Sequence, residues 1–469
     1  MRFRAVLILL GVVGSSLITP PFADAQTWYA VGSRFGSSTV GTVDVFSFTA
    51  NNQVTNIQST PLPQENQEIA IDPYGSFVAS RDGLRINIFQ VRRDHMLELT
   101  DTFQLPPETF YAIDLRTISN GAVVVAAEST TRELRSYRIS PRLLIEDTGY
   151  HFPLDSIIGD IRAFHTSEVG ECSIVMALER VGPISDEQLG LLHLDSDGTM
   201  TDTQVRVSLP GNLTRIPGVR PLAISPDGRL GAVAGLAGST TVGFTFTVDS
   251  DSSLSLFGSK PLSTNSVGPF EFEFLPNLDS LVYGQPFTRA RLSPLGQITG
   301  EIAQVSTNTD HYIAVAPDSL SALVNHNNSG GSSRLTVFGL PPEGGIIDPG
   351  PALFGPQLAA LDTIPPRLPD GDCNGDRALN VGDIITLVNH FDNSTTITVP
   401  GYFAAADLNE DLVLEPSDFT GVQNLLLGLS SPQPPIAASP RLPVSASGDW
   451  LTPEEFRIKN SELRKEETE

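Results

Sequence analysis

Apolar and polar residues alternate singly along most of the chain, in short runs separated by turn residues. One pattern recurs: an alternating stretch, a turn, a hydrophobic stretch, a polar loop, then another alternating stretch. Copies read IAIDPYGSFVAS at Ile69, AIDLRTISNGAVVVAA at Ala112, AFHTSEVGECSIVMA at Ala163, LAISPDGRLGAVAG at Leu222, FEFLPNLDSLVYG at Phe272 and IAVAPDSLSALVN at Ile313. Aligned at Pro73, Leu115, Thr166, Pro226, Pro276 and Pro317, they are spaced by 42, 51, 60, 50 and 41 residues. A period of two puts successive side chains on opposite faces of a strand, one of them buried. A further alternating stretch follows each copy, as in Ile86 to Val91 and Thr241 to Val248. Each unit is therefore predicted to be a four-stranded sheet, and about 40–50 residues is the usual period of such repeats. No long stretch of period 3.6 occurs before residue 380.

The segment from Trp28 to Phe48 matches the second half of a unit whose first strand is missing ahead of it. A strand near Gln357 to Asp362 is the natural complement, because closing a ring removes exposed sheet edges. Six whole units and one split unit make seven; eight is the alternative, since the 60-residue spacing has room for extra strands. The turn Ser225-Pro226-Asp227-Gly228-Arg229 and its weaker copies Asp72-Pro73-Tyr74-Gly75 and Ala316-Pro317-Asp318 suit a strand-to-strand reversal. Proline presets φ at the second position, and Asp and Gly tolerate the backbone angles of the next two. Over residues 28–362 the chain resembles the seven-bladed lactonase-like and YVTN-type β-propellers. That resemblance implies an all-β propeller. In its lactonase-type members polar groups near the central channel do the chemistry. Glu68, Glu271, His311 and Asn325, beside the expected inner strands, are the candidates here. Catalytic residues stay unassigned, since no G-x-S-x-G, H-E-x-x-H or P-loop pattern is present.

The sharpest motif lies in the last third. Asp372 to Asp383 places oxygen-bearing side chains at positions 1, 3, 5, 9 and 12 of a twelve-residue loop, and Asp407 to Asp418 repeats the spacing. Calcium takes six to eight oxygen ligands, which such a loop supplies from alternate positions with a backbone carbonyl at position 7. The first loop would use Asp372, Asn374, Asp376, the Ala378 carbonyl and Asp383, with Asn380 at position 9. The second would use Asp407, Asn409, Asp411, the Val413 carbonyl and Asp418, with Glu415 at position 9. Leu379 and Leu414, at position 8, would pin each loop to a core. Helical stripes come next: Val381, Ile384, Ile385, Val388 and Phe391, then Phe419, Val422, Leu425 and Leu426. The pair of loop-helix units, with Asp at position 12, resembles a type I dockerin, a small EF-hand-like calcium-folded module. The resemblance implies two Ca²⁺ ions and a cohesin-like or cell-surface partner. Two departures stand out. Position 6, normally Gly, holds Arg377 and Leu412, and a non-Gly residue at positive φ costs on the order of 1 kcal/mol. Positions 10 and 11, which read the partner in that family, hold Val381-Gly382 and Pro416-Ser417 in place of a Ser-Thr pair. Weaker calcium binding is expected, above all in the second loop.

Charge and composition narrow the function. The 469 residues carry a formal charge of −25, with 40 Gly and 36 Pro. A nucleic-acid partner needs a basic footprint, which this chain lacks. The two cysteines exclude a disulfide framework. Arg2 and Arg4, the apolar stretch from Ala5 to Ile18 and the small residues Ala23-Asp24-Ala25 read as a cleaved export signal, with an uncleaved anchor as the alternative. The expected organisation is a signal over 1–25, a propeller over 26–363 and a stiff Pro365/Pro366/Pro369 linker over 364–371. A calcium module follows over 372–429, then a spacer and charged tail over 430–469 in which Thr452 to Glu455 forms a capping box. The reading is a secreted binding or display protein tethered through its calcium module, with no membrane span after cleavage. A lactonase-like hydrolase carrying the same module is the alternative.

Overall fold

The computed structural model describes residues 26–429 except 35–40, 65, 107–109, 119–120, 129–130, 155, 166–171, 181–186, 210–212, 215–221, 238–239, 249–252, 263–270, 285, 306–309, 328–332, 349–352 and 356–357. The expected export signal and the tail from 430 lie outside the described residues.

Among the described residues the strands form six four-stranded sheets and one six-stranded sheet. In the sheet built from Asn66–Ile71, Phe77–Asp82, Arg85–Val91 and Leu97–Gln104, neighbours in sequence pair antiparallel. Burial falls from the middle outward. Phe77–Asp82 is buried throughout, whereas Leu97–Gln104 is largely exposed or half-buried. Phe77 and Ala79 join one apolar cluster and Val78 another, so this sheet packs on both faces. That is why its second strand reads as a continuous apolar run and not as an alternation.

Seven first strands lie side by side around a centre. In order they are Leu358–Thr363, Asn66–Ile71, Phe110–Ile118, Ser156–His165, Leu222–Ile224, Phe272–Phe274 and Asp310–Val315, and the last again neighbours the first. The ring is closed by the chain's two ends. Leu358–Thr363 pairs antiparallel with Thr27–Arg34, matching Ala30 to Thr363 and Gly32 to Leu361. Leu358 and Leu361 are buried with Ala30, Phe46 and Phe48 of the closing sheet and with Tyr312 and Leu323 of its neighbour.

The turns leaving four inner strands share one geometry. In 72–75, 225–228, 275–278 and 316–319 the fourth residue donates its N–H to the carbonyl of the first at 2.8 or 2.9 Å. That residue is left-handed each time: Gly75 at φ 62°, Gly228 at 72°, Leu278 at 59° and Ser319 at 62°. Glycine is required at 75 for a second reason, since a Cβ there would lie 2.2 Å from the Pro365 carbonyl oxygen.

After Thr363 the chain becomes helical: α1 (Val381–Phe391), α2 (Pro400–Ala406) and α3 (Pro416–Leu426). Their core holds Cys373, Leu387, Ile397, Phe403, Ala406, Leu408 and Val422, with Leu379 and Leu414 packed against it as expected. One expectation is corrected. The α1 stripe splits: Ile384, Leu387 and Phe391 turn to the core, while Val381, Ile385 and Val388 are 63%, 55% and 39% exposed. Spacing alone does not say which edge of a wide apolar stripe is buried. The proline segment lies against the ring. Its Pro365 carbonyl abuts Gly75, and Arg367 is half-buried between ring and helices, donating to the Val91 and Ala404 carbonyls. The Tyr74 and Tyr402 hydroxyls, 3.2 Å apart, and Gly401 against the Tyr74 ring complete the contact. Among the described residues no helix is long and apolar enough to cross a membrane.

Candidate calcium loops and the polar rim

The two twelve-residue loops share most of their internal wiring. In the first, Asp372 accepts from the Gly375 and Arg377 N–H groups at 2.7 and 2.8 Å. Asp383 reaches back to the Cys373 and Asn380 N–H groups at 2.9 and 2.8 Å. Asn374 Oδ1 accepts from Asp376 N–H, and Asp376 Oδ1 from Ala378 N–H, both at 2.9 Å. In the second, Asp407 accepts from Leu412 N–H at 2.8 Å, and Asp418 from Leu408 and Glu415 N–H at 2.9 and 3.1 Å. Asn409 accepts from Asp411 N–H and Asp411 from Val413 N–H at 3.2 and 2.9 Å. Each position-12 carboxylate is also the third helical residue of a capping box, accepting from the backbone N–H of the N-cap at position 9, Asp383 from Asn380 on α1 and Asp418 from Glu415 on α3. Position 6 is left-handed in both loops, Arg377 at φ 62° and Leu412 at φ 63°. Position 4 is too, as Gly375 at 76° and as Glu410 at 59°.

Every expected ligand thus lies on its loop, with Asp372, Asp383, Asp407 and Asp418 at most 2% exposed. Asp407 Oδ1 has no hydrogen-bond partner. In the first loop the Asn380 amide nitrogen bridges Asp376 Oδ2 and the Ala378 carbonyl at 2.9 and 3.0 Å, and the Asn374 amide nitrogen donates to Asp376 Oδ2 at 3.2 Å. The Asn409 amide nitrogen does the same to Asp411 Oδ2 at 3.0 Å. Glu415 instead accepts from the Ser417 hydroxyl at 2.8 Å. Among the described residues no three His, Cys, Asp or Glu side chains converge on one point. The carboxylates spend their oxygens on backbone N–H groups of their own loops.

Electrostatics matches that burial. Burial pushes Asp407 up to about 7, with Asp418 and Asp411 adding repulsion. It raises Asp372 and Asp418 as well, and the Cys373 thiol beside them. Asp376 moves down because Asn380 donates to it. Buried carboxylates resist ionisation unless a cation offsets the lost hydration. An all-oxygen donor set with an orphaned buried carboxylate oxygen is chemistry that suits Ca²⁺. Asp372, Asn374, Asp376, Ala378, Asn380 and Asp383 would hold one ion and Asp407, Asn409, Asp411, Val413, Glu415 and Asp418 a second, and each ion would supply the positive charge that these carboxylates lack.

The rim candidates are less concerted. Glu271 is buried, and its Oε2 accepts from Ile313 N–H at 2.8 Å, stitching adjacent sheets together. Glu68 is half-buried on an inner strand, and Asn325 is buried on the second strand of another sheet. His311 lies on an inner strand, and its side chain is outside the described ones, as is that of Cys172. Sequence reasoning missed the buried Asp82, which faces Arg85 at 3.3 Å near the start of an inner strand. It also missed Arg93, Arg367 and Glu410, which join the helices to the ring. Glu410 occupies a loop position that calcium does not use, so spacing gave it no role.

About 72% of the chain superposes on nearly whole solved proteins. A protein of Lactobacillus plantarum matches at TM-score 0.56 and 12% identity, covering 72% of this chain and 99% of its own. The periplasmic gluconolactonase PpgL of Pseudomonas aeruginosa gives 0.56 and 12%, with the same 72% and 99%. A candidate 6-phosphogluconolactonase of Bacteroides fragilis gives 0.52 and 14%, over 73% and 99%. The ring is a β-propeller. At these identities the likeness is one of fold, and propellers carry unrelated functions. No family model matches the sequence. No curated protein matches it either. The helical module lies at the propeller end where inner strands finish, at the turn 72–75 and at Gly121, which faces Thr398. Asp82, paired with Asn66, lies toward the opposite end.

Proposed function

We propose that the chain is an exported, seven-bladed propeller, each sheet one blade, that presents a binding surface and is tethered through a dockerin-like, calcium-dependent module. The observation that carries this reading is the outer face of α1. Val381, Ile385 and Val388 stand exposed in one row, directly after a calcium-type loop. Three large apolar side chains in a row on a small acidic module suit a protein partner, of cohesin-like or cell-surface kind. Val381 is itself position 10 of the first loop. Calcium would order the loop that launches this helix, making attachment calcium-dependent. The free propeller end would then face outward with its own ligand.

The test is retention of the purified full chain on cells of the producing organism. Binding in millimolar calcium, release by chelator and loss in Ile385→Asp are expected. Retention unaffected by chelator or by that substitution refutes the tether. A lactonase-like hydrolase with the same tether is the second reading, favoured by the fold shared with PpgL and by the buried Glu271. Turnover of gluconolactone that Glu271→Gln abolishes without unfolding the chain would establish it.

A further inference from the structure

The propeller holds the second calcium loop and not the first. Arg93, in the hairpin between Arg85–Val91 and Leu97–Gln104, spends its donors on the module. Its Nη1 and Nη2 donate to the carbonyls of Leu408 and Asp407 at 2.7 and 3.1 Å, which are positions 2 and 1 of the loop. Its backbone N–H donates to Glu410 Oε1 at 2.7 Å, position 4, and its Nε to Asp370 Oδ1 at 2.8 Å. Arg367 adds a 3.0 Å bond to the same Glu410 oxygen while donating to Val91. Leu412, position 6, packs against an apolar cluster that the propeller supplies through Phe77, Ile86 and Tyr137. Positions 1, 2, 4 and 6 are all fixed from outside the module.

The first loop differs. Among the described residues its hydrogen bonds run within the loop, to Pro369 and Gly371 just before it and to Thr386 just after it, and it meets the propeller only through neighbours, Asp370 on Arg93 and Tyr402, against Gly375, on Tyr74. The second loop also carries the heavier conformational load, with Glu410 and Leu412 both left-handed where the first loop has one such non-Gly residue. Strained backbone persists where its surroundings over-determine it. Here the surroundings are the propeller's.

We propose that the propeller is a structural part of the second calcium site, so that calcium in this loop and docking of the module on the propeller strengthen one another. The inference rests on the proposed calcium module. Two effects of Arg93 compete. Its charge near Asp407 repels Ca²⁺, but Asp370 and Glu410 pair with Arg93 and Arg367, leaving two cations against two carboxylates. Holding positions 1, 2 and 4 removes disorder that binding would otherwise have to remove, and this effect wins. Coupling between two binding events is reciprocal, so calcium must stabilise the docked arrangement by the same factor.

The experiment is calcium titration calorimetry on the full chain and its Arg93→Ala, Arg93→Lys and Asp372→Ala forms. Each is also melted with and without calcium in a Trp450→Phe background, so that Trp28 alone reports on the propeller. Charge-assisted hydrogen bonds set the scale, and we expect Arg93→Ala to weaken one of two sites about tenfold or more. That site should survive in Asp372→Ala, and the calcium-induced rise in the Trp28 melt should vanish with Arg93. Arg93→Lys, which keeps the charge without the fork, should show the same losses if the alanine form does not fold. Two sites of unchanged or higher affinity in the Arg93 variants overturn the coupling and leave the calcium module standing. A single site that disappears in Asp372→Ala also overturns the coupling. No calcium uptake by the unmodified chain overturns both.

Discussion

Truncating one leucine in the closing strand tests whether the ring holds the propeller together as a unit. Leu361 is 1% exposed and sits where the closing sheet meets its neighbour, among Phe46, Phe48 and Leu323. Leu361→Ala removes roughly three methylene equivalents, about 2.4 kcal/mol at ~0.8 kcal/mol each. The wall is built from two sheets locked by closure, so it can relax little, and a cavity contribution brings the expected loss to about 3–4 kcal/mol. With a urea m-value of ~3 kcal/mol/M for a domain this large, the midpoint should fall by about 1 M. Trp28 is a built-in probe of the seam: it lies on the closing sheet, and its indole N–H donates at 3.1 Å to Asp318 in the 316–319 turn of the neighbouring sheet. The assay is urea unfolding followed by Trp28 emission in a Trp450→Phe background and, in parallel, by far-UV circular dichroism. Leu192→Ala, at an equally buried site in another sheet, is the control. Both probes should shift together in both variants. A Leu361→Ala protein whose Trp28 transition moves while the dichroism transition stays would refute the reasoning, because the seam would then open without the ring.

Buried groups set three further outcomes. Burial pushes the Asp82 carboxyl up to about 6, so the folded chain keeps that proton to higher pH than the unfolded chain and loses stability between about pH 4 and 6. Asp82→Asn should add ~2 kcal/mol at pH 7 and nothing at pH 4, and equal effects in chemical denaturation at the two pH values would exclude this. His326 has the opposite sign: burial holds it neutral, down to about 4, so stability is lost as pH falls from about 6.5 to about 4. His326→Gln should flatten that acid limb, and an unchanged slope counts against it. A Cβ on Gly231 would lie 2.0 Å from the buried Phe246 ring, so Gly231→Ala should cost about 1–3 kcal/mol, partly restored by adding Phe246→Leu. No restoration in the double variant would place the cost elsewhere.

Much of the fold is legible in the sequence, for identifiable reasons. The repeat announces itself because Pro73, Pro226, Pro276 and Pro317 sit where each chain reversal needs a fixed φ, and the apolar run after each turn packs on both faces. The closing strand can be inferred because Trp28 to Phe48 lacks a first strand and a ring must supply one. Loop wiring is a local property, so the matching turns of Asp372 to Asp383 and Asp407 to Asp418 follow from their spacing residue by residue. The hidden part is long-range. Nothing near Arg93 or Arg367 in sequence points to Glu410, which lies 317 and 43 residues away. The short helix α2 escapes because seven residues give too little periodicity, though Pro400 at its first turn is a start signal. The α1 stripe misleads because its apolar arc is wider than its buried one.

The seam between Thr27–Arg34 and Leu358–Thr363 also sets a clock on biosynthesis. The strands Thr27–Arg34 and Gly41–Thr49 leave the ribosome roughly 300 residues before the strand that completes their sheet. At ~5–20 residues per second that is on the order of 15–60 s during which the Thr27–Arg34 edge has no partner. The nascent chain must tolerate that interval without pairing to another copy of itself. Arg34, at the end of the waiting strand, is the kind of edge charge that discourages such pairing.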